Sequence, residues 1–409
     1  MKKILVTSYD MEVGGVERSL ASMLEHFDYK NNKVDLMLYR HQGDFLDLLS
    51  SQVNLLEEQP AYSTFRKSIS ETFREGHYRI AFGRVLARIH TEWIRRTQKI
   101  TEPGYYQMQL MWKYVLPYLP TLQQEQEYDV AISYLWPHDF VADKVKAKQK
   151  IGWIHTDYST IDTDVQADFI MWSKFDYIIA VSESCKVSFL QKYGTLEEKV
   201  VVIENITSPD FIRIMAHKEV LNPMVVDPGF NLVTVGRLSY QKGLDLAVKA
   251  LRSLKDKGYD SIKWYIVGYG GDEATLKSMI AEYQLENSFI LLGKQTNPYP
   301  FMNSCDLYVQ PSRYEGKAVT VTEAKILGKP ILITDYPTAP SQVEDGVDGV
   351  ITELSVEGIV AGIERLFLDV ELRQRIADQC RASDFSNTYE LEKLYNLIRE
   401  KEGAVSSAV

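Results

Sequence analysis

Along this chain, short runs rich in β-branched residues alternate with helical patterns twice over, and this alternation restricts the fold more than any other feature. Parallel strands buried on both faces read as apolar runs joined by crossover helices, so each set predicts an open parallel sheet covered on both sides. In the first half, strands are expected near Ile4–Thr7, Val34–Leu38, Val130–Tyr134, Lys150–Ile154, Tyr177–Val181 and Val200–Ile203. In the second half, they are expected near Asn231–Gly236, Lys263–Gly268, Phe289–Leu292, Leu307–Gln310, Ile331–Thr334 and Gly349–Ile351. The fold class is therefore α/β, with two Rossmann-like, doubly wound parallel-sheet domains. A length of 409 residues suits two domains. The stretch from Asn205 to Phe230 breaks the pattern with Pro209, Pro223, Pro228 and Gly229, and it is expected to carry the connection and to act as a hinge. Residues 1–205 then form the first domain and residues 206–388 the second. Open α/β sheets bind ligands beyond the carboxyl ends of their strands, so a cleft between the domains is the expected ligand site. Near the end of the chain, Leu391, Leu394, Tyr395 and Ile398 share one helical face and predict a helix packed on one of the two domains.

Charge and cysteine usage exclude several classes. Lys and Arg total 46 against 56 Asp and Glu, a net −10, so a general basic surface for nucleic acid is not expected. Cys185, Cys305 and Cys380 lie far apart, without the spacing of a zinc site or a disulfide framework, which suits a reducing cytoplasm. The opening MKKILVTSYD has too short an apolar stretch for a signal-peptide core, and no run approaches a membrane span of ~20 apolar residues.

One insertion opposes the overall charge. Tyr62 to Pro117 is helical in pattern and carries ten Lys/Arg against four Glu, a local +6, interleaved with aromatic residues. Such a helix suits the anionic face of a membrane, and residues 62–117 are the expected contact with it, although a helical pair with a solvated basic face has the same pattern.

The chemistry concentrates in PSRYEGKAVTVTEAKILGKP, from Pro311 to Pro330. If a helix begins near Lys317, then Glu315 precedes it and Glu323 lies about 9 Å along it at ~1.5 Å per residue, a separation that spans a nucleotide sugar. The N–H groups of Lys317 and Ala318 at the helix start could hold a phosphate. A second stretch, VGRLSYQKGLD, puts Arg237 and Lys242 in the loop after the second domain's first strand. A planar guanidinium and a mobile ammonium converging there would neutralise a diphosphate without a metal ion, with Gly236 and Gly243 letting the backbone approach. In the first domain, Gly14-Gly15 follows the first strand and opens a helix, which fits either a phosphate-facing loop or a plain turn. His155, directly after a strand, is the histidine best placed to meet a sugar hydroxyl, although a structural histidine bonded to backbone is the usual alternative. Gly268-Tyr269-Gly270-Gly271 lacks the third glycine of a dinucleotide fingerprint, since Glu273 stands there. Asp162-Thr163-Asp164 looks like a metal pair but lies in an acidic polar stretch, and no metal site is expected.

Together, GRLSYQKG, IVGYGGDEATL, PSRYEG, the two glutamates and EAKILGKPILITD, with GGVERSL, His155 and AVSES in the first half, resemble the retaining glycosyltransferases of family 4. The resemblance implies the GT-B architecture, in which two Rossmann-like domains face one another, and a last helix, about residues 389–401, returning to the first domain. It further implies a retaining, metal-independent transfer of a hexose from a nucleotide-diphosphate sugar, such as a UDP-sugar, to a glycan or lipid-linked acceptor. The setting would be surface polysaccharide or glycoconjugate synthesis at the inner face of the membrane. Arg237 and Lys242 would hold the diphosphate, and Glu315 the sugar together with the backbone of Gly316, Lys317 and Ala318. Glu323 would bind ribose, Gly15, Gly236 and Gly270 would lie by the donor, and His155 would lie near the transferred sugar. The family often has an aromatic and then a small residue where this chain has Lys317-Ala318, which leaves the donor open. A non-catalytic nucleotide-sugar-binding subunit and an epimerase or phosphorylase on the same fold remain as alternatives.

Overall fold

A computed structural model describes residues 1–12, 14–43, 45–98, 104–122, 127–226, 228–315 and 318–406, and it divides into two compact units. The first comprises Met1–Thr207 and the segment from Asn387 onward; the second is Ser208–Ser386.

In the first unit the strands are β1 (Lys2–Ser8), β2 (Asn32–Leu38), β3 (Asn54–Leu55), β4 (Tyr128–Ser133), β5 (Ala147–Ile154), β6 (Tyr177–Ala180) and β7 (Val200–Val202). They form one parallel sheet in the order β3-β2-β1-β4-β5-β6-β7. Six of the seven were expected from the sequence. The exception, β3, is two exposed residues at the sheet edge, too short to show any periodicity. The order reverses between β1 and β4, so that gap is the unit's topological switch point. The final helix, Glu390–Ser406, belongs to this unit. It buries Leu391, Leu394, Leu397 and Ile398, and its carbonyls at Leu397 and Ile398 accept from Gln149 and Lys2.

The second unit contains β8 (Phe230–Val235), β9 (Ile262–Val267), β10 (Phe289–Gly293), β11 (Leu307–Gln310), β12 (Ile331–Thr334) and β13 (Val350–Thr352). Its parallel order is β10-β9-β8-β11-β12-β13, with the switch point between β8 and β11. Leu232, Trp264, Ile266, Leu307 and Val309 fill the core from this sheet, and helix Leu244–Asp256 covers it with Ala247, Val248, Leu251 and Leu254. The segment read as a connection holds more structure than its prolines suggested. Ser208 caps helix Pro209–Ala216 through Phe211 N–H, and Pro209 sits at the first turn, where its missing N–H costs nothing. Asn297 donates to the Met215 carbonyl and Asn222 to the Pro300 carbonyl, so this helix is a packed part of the second unit. A hinge spanning Asn205–Phe230 is therefore too broad. The helix expected near Lys317 begins later, at Val319, and runs to Ile326.

Two glycines hold the loop beyond β8 against its neighbours, Gly243 toward the loop after β11 and Gly268 from the loop after β9. Gly243 has φ 63°, and a Cβ there would lie 1.9 Å from the Pro311 carbonyl oxygen. Gly268 has φ 152°, and its Cβ would lie 1.8 Å from the Gly236 oxygen. Gly243→Ala should destabilise the second unit by about 1–3 kcal/mol from backbone strain alone, with the clash adding to it. Denaturant unfolding of the full chain checks this, and an unchanged midpoint would contradict it.

Candidate functional site

At the β8/β11 switch point, two loops meet. The first leaves β8 at Gly236, runs through Arg237, and ends in a turn at Tyr240–Lys242 and the left-handed Gly243 that opens helix Leu244–Asp256. The second leaves β11 at Pro311 and reaches Glu315. Arg313 ties them: its guanidinium is bidentate to Asp245 at 2.7 and 2.6 Å, donates to the Tyr240 carbonyl at 2.7 Å and stacks on the Tyr240 ring at 4.0 Å. The Arg313 N–H also donates to the Gln241 carbonyl at 2.8 Å.

That scaffold brings together Lys242 and Glu315. The Lys242 ammonium donates to Glu315 Oε1 at 2.6 Å, with both side chains largely withdrawn from water. Oε1 also accepts from Ser312 Oγ at 2.6 Å and Gln310 Nε2 at 3.1 Å, while Oε2 accepts from Gln241 Nε2 at 3.2 Å. An ionised carboxylate offers about four acceptor sites, so Oε2 retains room for a further hydroxyl, and the ammonium has two more N–H groups to give. Gly236 lies behind the lysine stem, where a Cβ would come within 3.2 Å of Lys242 Cε. Arg237, on the same loop, is exposed and has no ion-pair partner among the described residues.

The remaining residues fall into different settings. Gly270 packs on the loop: a Cβ there would lie 2.2 Å from the Leu238 oxygen, and across this junction the Leu238 N–H donates to the Tyr269 carbonyl while its own carbonyl accepts from the Asp272 N–H. Its immediate effect is to shape the Arg237 loop. The Ala318 N–H donates to Gln342 Oε1 at 2.7 Å, so an acceptor from the chain itself occupies it. Glu323 is fully buried, and its Oε1 accepts from the buried Tyr299 hydroxyl at 2.9 Å. Gly316 and Lys317 lie outside the described residues. Sequence reasoning missed Gln310, Ser312, Gln241, Arg313 and Thr338, whose hydroxyl donates to the Glu315 carbonyl at 2.9 Å. The serine two positions past the strand end was the one available signal, since a short hydroxyl there turns readily toward the next residues.

In the first unit, Gly15 and His155 both lie at the carboxyl edge of the sheet, after β1 and β5. Tyr134, which the sequence reading passed over, links them: its hydroxyl donates to Ser19 on the helix that begins at Gly15, and its carbonyl is 3.0 Å from His155 Nε2. A carbonyl only accepts, so Nε2 carries the proton and Nδ1 presents a lone pair, shielded from water and without a hydrogen-bond partner among the described residues. Burial holds this imidazole neutral by lowering its pKa to about 4, and burial takes His138 to about 3. Gly15 faces open space, whereas a Cβ on Gly14 would meet Glu17 Oε2 at 2.1 Å. The turn is thus faced by the chain's own carboxylate. Nearby, buried Asp10 pairs with Arg66 at 2.7 Å, its pKa raised by burial despite that partner.

Residues 226–383 match the family described as glycosyl transferases group 1. Over 170 residues, 41% of this chain and 42% of the relative, the chain is 27% identical to an uncharacterized glycosyltransferase, MJ1059, of Methanocaldococcus jannaschii. Over 240 residues, 55% of this chain and 63% of the relative, it is 27% identical to the capsular polysaccharide biosynthesis glycosyltransferase CapM of Staphylococcus aureus. The matched stretches thus span less than two thirds of either relative. The crystal structure of Anabaena HepE in complex with UDP-glucose superposes with a TM-score of 0.57 at 18% identity, covering all of both chains. That likeness establishes the GT-B fold, and the sequence matches support sugar transfer as the class of activity.

Because the folded-state pKa values of His155 and His138 lie below the free-histidine value near 6.5, their neutral forms contribute stability that is present above about pH 6.5 and lost as pH falls toward 4. Thermal unfolding of His155→Gln should therefore decline less steeply than the parent between pH 6.5 and 4.5. Parallel profiles would contradict the buried neutral assignment.

Proposed function

We propose that this chain is a retaining, metal-independent glycosyltransferase that moves a hexose from a nucleotide-diphosphate sugar to a glycan or lipid-linked acceptor in surface polysaccharide or glycoconjugate synthesis. The observation that carries the reading is the Lys242–Glu315 pair at the β8/β11 switch point, with the exposed Arg237 on the same loop as Lys242. The matched group 1 stretch covers these residues, and CapM's name supports the polysaccharide setting.

Breaking the anomeric C–O bond leaves positive character on the sugar and added negative charge on the diphosphate. Cations already fixed in place therefore favour the transition state over the ground state. In this reading Lys242, held by Glu315, and Arg237 take the diphosphate oxygens, so the charge usually supplied by a metal comes from side chains. Glu315 Oε2 accepts from a sugar hydroxyl, and the neutral His155 lies near the transferred sugar. Glu323 either meets the ribose or, through Tyr299, holds helix Val319–Ile326 in place. Retention follows from same-face attack: the acceptor oxygen bonds to the anomeric carbon as the phosphate oxygen leaves, and that departing oxygen takes the acceptor's proton.

Full chain incubated with nucleotide sugars and acceptor should form a new linkage of unchanged anomeric configuration; isomerised donor alone would indicate an epimerase, and binding without turnover a carrier subunit. Lys242→Ala or Arg237→Ala should lower kcat by roughly 100- to 1,000-fold, the cost of removing one such donor from a dry site. Parent-like turnover by Lys242→Ala would refute the assignment.

A further inference from the structure

The basic insertion in the first unit carries a helix face that the sugar-transfer reading does not use. Helix Tyr78–Gln98 is apolar on two opposite faces. One face carries Ile80, Ala87 and Ile94, all buried: Ala87 and Ile94 cluster with Leu110 of helix Gly104–Val115, and Ile80 joins the core that holds Trp112 and Val115 of the same helix. The contact is close: a Cβ on Gly83 would lie 2.9 Å from the Tyr114 carbonyl oxygen, and His90 meets the Tyr114 hydroxyl at 3.0 Å. Arg84, turned inward, donates to the Thr64 and Lys67 carbonyls and locks the helix to the preceding turn.

The opposite face is bare. Tyr78, Phe82, Val85, Ile89 and Trp93 are each 38–61% exposed. At about 100° per residue they fall within an arc of about 80°, a single stripe along the whole helix. Exposed Phe73 extends it past the helix start, its ring 4.8 Å from that of Tyr78. Apolar side chains scattered singly on a surface need no explanation, but a contiguous stripe does. Arg79 flanks it on one side, Arg88 and Arg95 on the other, and Arg96 stands at its end. The helix holds five arginines and one acid, Glu92, which pairs with Arg95 and Arg96. No described helix is long and apolar enough to cross a bilayer, so this one would lie along a surface.

We propose that the outer face of helix Tyr78–Gln98 docks in the interfacial plane of an anionic membrane. The aromatic and aliphatic stripe enters the boundary between headgroups and acyl chains, and the flanking arginines meet the lipid phosphates. The charge complement decides for lipid over a second copy of this chain: an isologous pairing of this helix would set arginines against arginines. The site rests on the first unit alone and does not depend on the reaction assigned to the second.

Co-sedimentation of the full chain with vesicles tests it. At low salt, vesicles containing phosphatidylglycerol should bring down the protein, and phosphatidylcholine vesicles much less. Phe82→Ser/Ile89→Ser/Trp93→Ser, all exposed positions, should abolish binding without altering the unfolding midpoint. Arg88→Gln should weaken partitioning about fivefold, the contribution expected of one cation near such a surface. Failure to sediment with anionic vesicles would overturn the proposal. So would a triple variant that binds like the parent, or a parent dimer that the triple variant converts to monomer with no lipid binding in either.

Discussion

An ammonium and a carboxylate drawn 2.6 Å apart and largely out of water, at the carboxyl ends of two neighbouring parallel strands, set the terms for the second unit. Removing two charges from water costs several kcal/mol per ion, and their attraction offsets that only with good geometry and further hydrogen bonds. Here Ser312, Gln310 and Gln241 supply those bonds to Glu315. The arrangement needs its loops in register, and Gly243 against the Pro311 carbonyl and Arg313 across to Asp245 provide it. A pair of this kind adds little net stability, so its consequence is positional: Lys242 is held in place, with two N–H groups unspent among the described residues.

The first unit uses burial differently. Its sheet edge presents a histidine whose tautomer is set by the Tyr134 carbonyl and whose charge is suppressed by its surroundings. Tyr134 carries this setting to the helix that begins at Gly15, through Ser19. A neutral acceptor there suits hydroxyl recognition, and the carboxylates around Gly14 suit it better than they suit a phosphate.

Much of the architecture was legible in the sequence because buried parallel strands leave continuous apolar runs. Leu307–Gln310 and Ile331–Thr334 are found at the expected bounds, whereas the two exposed residues of β3 left no trace. The proline-rich stretch misled because Pro209 at a first helical turn reads like a breaker until Ser208 is seen to cap it. Arg237, Lys242 and Glu315 stood out through loop position and charge. Their supports did not: Gln310 at the end of β11, Ser312 just past it and Thr338 after β12 converge on Glu315, and no spacing along one segment encodes such a meeting. The Gln342 amide on the Ala318 N–H was hidden for the same reason. In the insertion, composition revealed the excess of arginine, but only the fold shows which of two apolar faces is left uncovered.

The central claim is that Lys242, fixed by Glu315, grips the outer phosphate of a nucleoside diphosphate. Calorimetric titration with the diphosphate that stabilises the chain best, beside its monophosphate, isolates that contact. The parent should prefer the diphosphate, and Lys242→Ala should lose about tenfold or more of that preference, the worth of one hydrogen bond to a charged group. Full retention of the preference in Lys242→Ala would contradict the account.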